Sequence, residues 1–82
     1  SFQSGRYMHQ LILYTTSGCH LCESAEAILD VATCDYSLVD IADDLSLMER
    51  YGVRIPVVRN EKGRELDWPF DCTQLALFLR ER

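Results

Sequence analysis

Positive charge is scarce in this sequence. Eight Lys and Arg face thirteen Asp and Glu across 82 residues, for a net charge of −5. A phosphate backbone is normally met by a basic face, and the few cations here are scattered, so nucleic acid is excluded as a natural partner. Long apolar runs are also missing. Nothing approaches the ~20 residues needed to span a bilayer, and the N-terminus lacks the basic and apolar segments of a secretory signal, so no membrane partner is expected and the expected location is cytoplasmic. Proline (2) and glycine (4) are sparse, so the chain lacks the turn-dense look of scaffolds held together by disulfides. No repeat, linker or low-complexity segment interrupts it.

What remains is an ordinary globular composition, 48% hydrophobic and 26% charged. At this length it amounts to one domain, which buries only roughly 60% of the surface its unfolded form exposes. Residues 1–7 are set aside as an N-terminal extension or expression remnant, and the domain is taken as 8–82.

Local patterns give an element order. His9 to Thr15, with the continuous Leu11-Ile12-Leu13-Tyr14, reads as a strand buried on both faces. Leu21, Ala25, Ile28, Leu29 and Ala32 recur at helical spacing, which predicts a helix over 20–33. Tyr36 to Ile41 reads as a second strand. Asp43 is placed to cap a short helix with Leu45, Met48 and, at its margin, Leu47 facing inward, and Gly52 as its left-handed stop. Residues 56–59 and 64–66 flank the polar turn Asn60-Glu61-Lys62-Gly63 and read as a hairpin. Asp71 and Gln74 form a capping box ahead of a last helix whose Leu75, Leu77, Phe78 and Leu79 supply apolar contacts. The expected fold is α/β, in the order β-α-β-α-β-β-α. It has a four-stranded mixed sheet with helices on both faces, the first two strands parallel and joined by a right-handed crossover.

Four cysteines remain to be explained. Cys19 and Cys22 stand where the first strand gives way to the first helix. The unpaired N–H groups of a helix start carry roughly +0.5 charge in aggregate and favour a thiolate, so Cys19 is expected to be the nucleophile. Cys22, one turn further on, can resolve a mixed disulfide by attacking it from within the helix. His20 adds positive charge beside Cys19 when protonated, and Glu23 opposes it. A tetrathiolate metal site needs a second close pair, and Cys34, after the first helix, falls at the opposite pole, so no metal site is assigned. Cys72 reads as a packed first-turn residue.

Two motifs then resemble the glutaredoxin-like branch of the thioredoxin-fold superfamily: Cys19-His20-Leu21-Cys22 after a buried strand, and Tyr51-Gly52-Val53-Arg54-Ile55-Pro56-Val57 after the second helix. Gly63-Arg64-Glu65-Leu66-Asp67-Trp68 is similar to the endings of small bacterial glutaredoxin-like proteins. The resemblance implies that Pro56 is cis and faces the thiol pair. Arg54, Ile55, Pro56 and Asp71 are then the substrate-binding residues, with Ile55 pairing its backbone with an incoming strand. It implies a monomeric thiol–disulfide oxidoreductase that needs no resident cofactor and acts on protein disulfides or glutathione mixed disulfides. The alternatives are a glutathione-dependent iron–sulfur cluster carrier and a redox-inactive binding module. Glutaredoxins place Gly-Gly where this chain has Trp68-Pro69, which adds bulk and removes an N–H, so glutathione is expected to fit poorly. Asp71 has two alternative roles, meeting the glutathione amine, as the resemblance implies, or capping the last helix.

Overall fold

The computed structural model describes residues 11–80; the extension expected over 1–7, and His9 of the first strand, lie outside them. The elements are β1 (Leu11–Thr15), α1 (His20–Val31), β2 (Tyr36–Asp40), a single 3-10 turn (Ile41–Asp43), α2 (Leu45–Tyr51), β3 (Val57–Arg59), β4 (Glu65–Asp67) and α3 (Cys72–Arg80). The sheet order is β2-β1-β3-β4, with β1 parallel to β2 and the remaining pairs antiparallel. The expected α/β architecture is therefore the one observed.

Strand alternation divides the core into two layers. Leu11 and Leu13 of β1 and Val58 of β3 join Ala25 and Leu29 of α1 and Leu75 and Phe78 of α3 on one face. Tyr14 and Val57 point the other way, toward Ile41 and Tyr51 of the α2 side. Each fully buried aliphatic or aromatic side chain contributes roughly 1.5–3 kcal/mol. Strand propensity spans only about 1 kcal/mol, so burial decides where strands as short as β3 and β4 lie. No helix among the described residues is long and apolar enough to cross a membrane.

The hairpin turn forms as its residues dictate. Asn60 Oδ1 accepts from the Lys62 and Arg64 N–H groups at 2.9 and 3.0 Å, and Gly63 takes φ +85°. The capping box is reciprocal: Asp71 Oδ1 accepts from Gln74 N–H at 2.8 Å, and Gln74 Oε1 accepts from Asp71 N–H at 3.1 Å.

Helix ends and faces differ from those expected. Asp43 does not cap α2, because it belongs to the 3-10 turn; Asp44 does, its Oδ1 accepting from Ser46 and Leu47 N–H. Leu45 and Met48 are exposed, while Tyr51 is fully buried and Leu47 packs beside it. A helix this short buries one narrow stripe, and the i, i+4 pair Leu47 and Tyr51 occupies it. Gly52 is not left-handed, having φ −53° and ψ −37°. A Cβ there would strike the Met48 carbonyl oxygen, so close approach accounts for the glycine. The residue that does turn left-handed is Thr33, φ +56°, which closes α1 two residues before the expected end. Cys34 N–H donates to the Leu29 carbonyl across it, a Schellman-type stop. Leu77 faces solvent, one position off the Leu75–Phe78 stripe.

Candidate functional site

The thiol pair sits at the head of α1. After β1, Gly18 takes φ +76° with open space around it, so the chain turns abruptly into the helix. Cys19 is the N-cap, with extended backbone at φ −90°, and its Sγ accepts from the Cys22 N–H at 3.1 Å. Cys22 is in the first turn and buried, whereas Cys19 is partly open to solvent. The two are joined in a disulfide with a Cα–Cα distance of 5.2 Å. One sulfur is thus reachable and takes a helix-start amide, and the other waits behind it. His20 is exposed beside them.

Register places the proline loop at the same edge. Tyr14 pairs with Val57, so Pro56 falls opposite Thr15, the last residue of β1 before the loop that carries Cys19. The Ile55–Pro56 bond is cis, as is Trp68–Pro69. Pro56 is buried, and its carbonyl accepts from Trp68 N–H at 3.2 Å. Ile55 departs from expectation in one respect: its N–H already donates to the Tyr51 carbonyl at 3.0 Å. Its carbonyl takes no hydrogen bond among the described residues, so a strand added here finds an acceptor and no donor.

Arg54 is committed inward. Its Nη2 donates to Glu65 Oε1 at 2.7 Å and to Asp67 Oδ1 at 2.8 Å, with Nε to Asp67 Oδ2 at 3.3 Å. Such a two-point Arg–carboxylate fork is both strong and directional. Its guanidinium carbon lies 5.2 Å from the centre of the Tyr51 ring. Tyr51 in turn stacks on Tyr14, centroids 4.1 Å apart and planes at 15°, and its hydroxyl donates to Glu65 Oε2 at 2.5 Å. On the far side of Tyr14, Arg59 Nη1 donates to its hydroxyl at 3.5 Å. This ladder fixes the loop from Gly52 to Pro56 against β4. The ladder was not foreseen from the sequence: the side chain of Arg54, expected among the substrate-binding residues, is held by β4 of the following hairpin.

Charges in the ladder shift accordingly. Burial, and then the bond to Glu65, push the Tyr51 phenol up to about 12. The same bond, followed by that from Arg54, holds Glu65 below the usual glutamate value against an opposing push from burial.

Asp71 serves as the α3 cap, exposed at the edge where β4 ends. Trp68 is half-buried, edge-on to Phe70 at 5.1 Å and 73°, and packs against the α1–α3 layer. Cys72 is exposed, contrary to the packed position expected for it, because the inward stripe of α3 begins at Leu75. Cys34 is partly covered at the C-terminal end of α1, where burial and then the neighbouring Asp35 raise its thiol pKa. It is a packing residue.

Residues 10–80 match the family described as glutaredoxin-like domain (DUF836). Among solved structures, the chain is similar to the structural-genomics target protein XcR50 from X. campestris at 44% identity and a TM-score of 0.84, over 88% of this chain and 97% of that one. It is also similar to protein Ne2328 from Nitrosomonas europaea, at 24% identity and a TM-score of 0.77 over 94% and 98% of the two chains. The glutaredoxin grx-1 from Archaeoglobus fulgidus matches at 17% identity and a TM-score of 0.65, over 94% and 99%. The last two likenesses speak to the fold alone. No curated protein matches.

Proposed function

The chain belongs to the glutaredoxin-like domain family, and from that premise we propose that Cys19 and Cys22 are the redox couple of a thiol–disulfide oxidoreductase acting on protein disulfides. The observation that carries this reading is the disulfide at the start of α1, with Cys19 partly open and Cys22 buried. In the reduced protein, the Cys22 N–H and the other unpaired amides of the helix start stabilise negative charge on the Cys19 sulfur. The Cys19 thiolate attacks one sulfur of the substrate disulfide. That S–S bond breaks, the departing sulfur takes a proton, and a mixed disulfide forms. Cys22 then loses its proton and attacks Cys19 Sγ, closing the intramolecular disulfide and releasing the second substrate thiol. Two electrons pass from the pair to the substrate, and a thiol donor restores the dithiol.

The remaining residues divide the work of presentation. The Ile55 carbonyl beside Pro56 supplies one acceptor for an extended substrate backbone. Arg54 contributes by holding that loop to Glu65 and Asp67. His20 adds positive charge beside Cys19 when protonated. The exposed carboxylate of Asp71 marks the limit of the site along the sheet edge.

Replacing each thiol separately tests the assignment. Cys19→Ser abolishes exchange with a disulfide substrate, whereas Cys22→Ser retains the first attack and accumulates a covalent protein–substrate adduct, seen by mass spectrometry as a species that reductant removes. Equal loss in both variants, or an adduct on Cys22, refutes the division of roles.

A further inference from the structure

We propose that the surface around Cys19 and Cys22 is a docking face for protein disulfides flanked by apolar and cationic residues; the proposal rests on the redox reading above. Topology brings the relevant ends together. β1 and β2 end side by side at Thr15 and Asp40, and β3 begins where β4 ends, with Val57 opposite Asp67. The loop carrying the thiol pair, the loop carrying Pro56 and the starts of α1 and α3 therefore share one edge of the sheet.

Besides Leu45 at the start of α2, which is 79% exposed, two apolar side chains stand out at this edge. Leu21, between the cysteines, is 51% exposed, although its spacing matches the buried stripe of α1. Val53, two residues before Ile55, is completely exposed. Scattered exposed aliphatics need no explanation, but Leu21 lies between the two cysteines in the first turn of α1 and Val53 in the loop that leads to Pro56.

Charge selects the occupant. Asp40, Asp43 and Asp44 lie at the end of β2 and just beyond it, Glu23 in the first turn of α1, and Asp71 ahead of α3. None of them forms an ion pair with a described cation. The one arginine in the Pro56 loop, Arg54, is taken up by Glu65 and Asp67. The hairpin turn at the opposite edge carries Arg59, Lys62 and Arg64. A cationic partner is therefore drawn to the thiol edge and an anionic one repelled from it. Oxidised glutathione, with more carboxylates than ammonium groups, is disfavoured on charge as well as on the bulk of Trp68-Pro69.

The test uses the whole reduced chain and three disulfide peptides of equal length, whose cysteines are flanked by leucine and, respectively, lysine, glutamine or glutamate, with oxidised glutathione as a fourth substrate. The dithiol is oxidised to the Cys19–Cys22 disulfide, the peptide is reduced to its thiols, and the rate of thiol release is read. A pair of opposite charges about 10 Å apart in water changes a rate roughly twofold, so a few such pairs give about tenfold in favour of lysine over glutamate at low salt. The ratio shrinks toward unity at about 0.5 M salt as the screening length falls. Asp43→Asn with Asp44→Asn, the latter keeping a side-chain oxygen for the α2 cap, lowers the ratio about threefold. Val53→Ser slows the lysine and glutamate peptides alike. Exchange at equal rates whatever the flanking charge, or faster with glutamate, overturns the proposal.

Docking needs no chemistry, so the same peptides with serine for cysteine give a second readout by NMR titration. Saturable shifts at Val53 and Leu21 with the lysine peptide, in a protein that exchanges no disulfide, uphold the docking face and refute the redox reading. Absence of both exchange and shifts refutes both.

Discussion

Tyr51→Phe removes one oxygen from the middle of the ladder that holds the Pro56 loop. The ring remains, stacked on Tyr14 and beneath Arg54, so apolar burial is unchanged. What is lost is a hydrogen bond to a carboxylate, a class worth about 1.5–3 kcal/mol. Glu65 keeps its bond from Arg54 at 2.7 Å and is not orphaned, which places the cost in the lower half of that range, about 2 kcal/mol. For a domain of this size the thermal midpoint falls by roughly 10 °C.

The pH dependence makes the test specific. Burial and the Glu65 bond raise the Tyr51 phenol from 10.0 to about 12 in the folded protein. A raised value means that the neutral form is the one the fold favours. Its stabilisation is full below the unfolded value near 10 and is lost as pH rises toward 12, an amount of about 3 kcal/mol. The Phe variant has no such group to lose. Unfolding free energies from urea titrations at a series of pH values should therefore show a gap of about 2 kcal/mol at pH 7 that closes above pH 10 and reverses before pH 12. Tyr36, also pushed up to about 12 by burial and its bond to Asp30, acts equally in both proteins and cancels in the difference. On the acid side the sign is opposite. Glu65 is depressed, so its contribution is present above 4.5 and disappears as pH falls through the lower native value, and the variant loses less there. A gap that stays constant from neutral to alkaline pH, or no gap at pH 7, refutes the role given to the hydroxyl.

Two further substitutions probe the helix ends. Thr33→Gly relieves a β-branched residue at φ +56°, where a side chain costs roughly 1–2 kcal/mol, and should stabilise the protein by about 1 kcal/mol in urea unfolding; destabilisation would show that the Thr33 hydroxyl bond to the Ala32 carbonyl matters more than the strain. Asp71→Ala should cost about 1 kcal/mol and Asp71→Asn almost nothing, because asparagine retains the capping oxygen; an equal loss in both would mean that charge, and not the cap, is what the fold uses at this position.

The parts legible in the sequence were those written in short range. The strand Leu11-Ile12-Leu13-Tyr14, the helix opened by Cys19, the Asn60–Gly63 turn and the Asp71–Gln74 box each depend on residues within a few positions of one another. Covalent spacing alone carries that information. The same holds for the thiol pair: a helix start and a three-residue separation suffice to bring two sulfurs into bonding range.

The misread residues belong to contacts that close over long loops. Leu45 and Met48 match an apolar stripe as well as Leu47 and Tyr51 do, and only the presence of Tyr14 across the layer decides which stripe goes in. For Arg54, nothing in the neighbouring residues shows that the hairpin folds Asp67, thirteen residues on, and Glu65, eleven on, against it. The amino-acid sequence by itself determined the α/β order and the placing of two thiols at the head of α1, because caps, turns and periodicity act through neighbouring backbone groups. Tertiary structure alone decided which face of α2 is buried and what Arg54 holds, because ring stacking and ion pairing depend on distances that exist only after the sheet has formed.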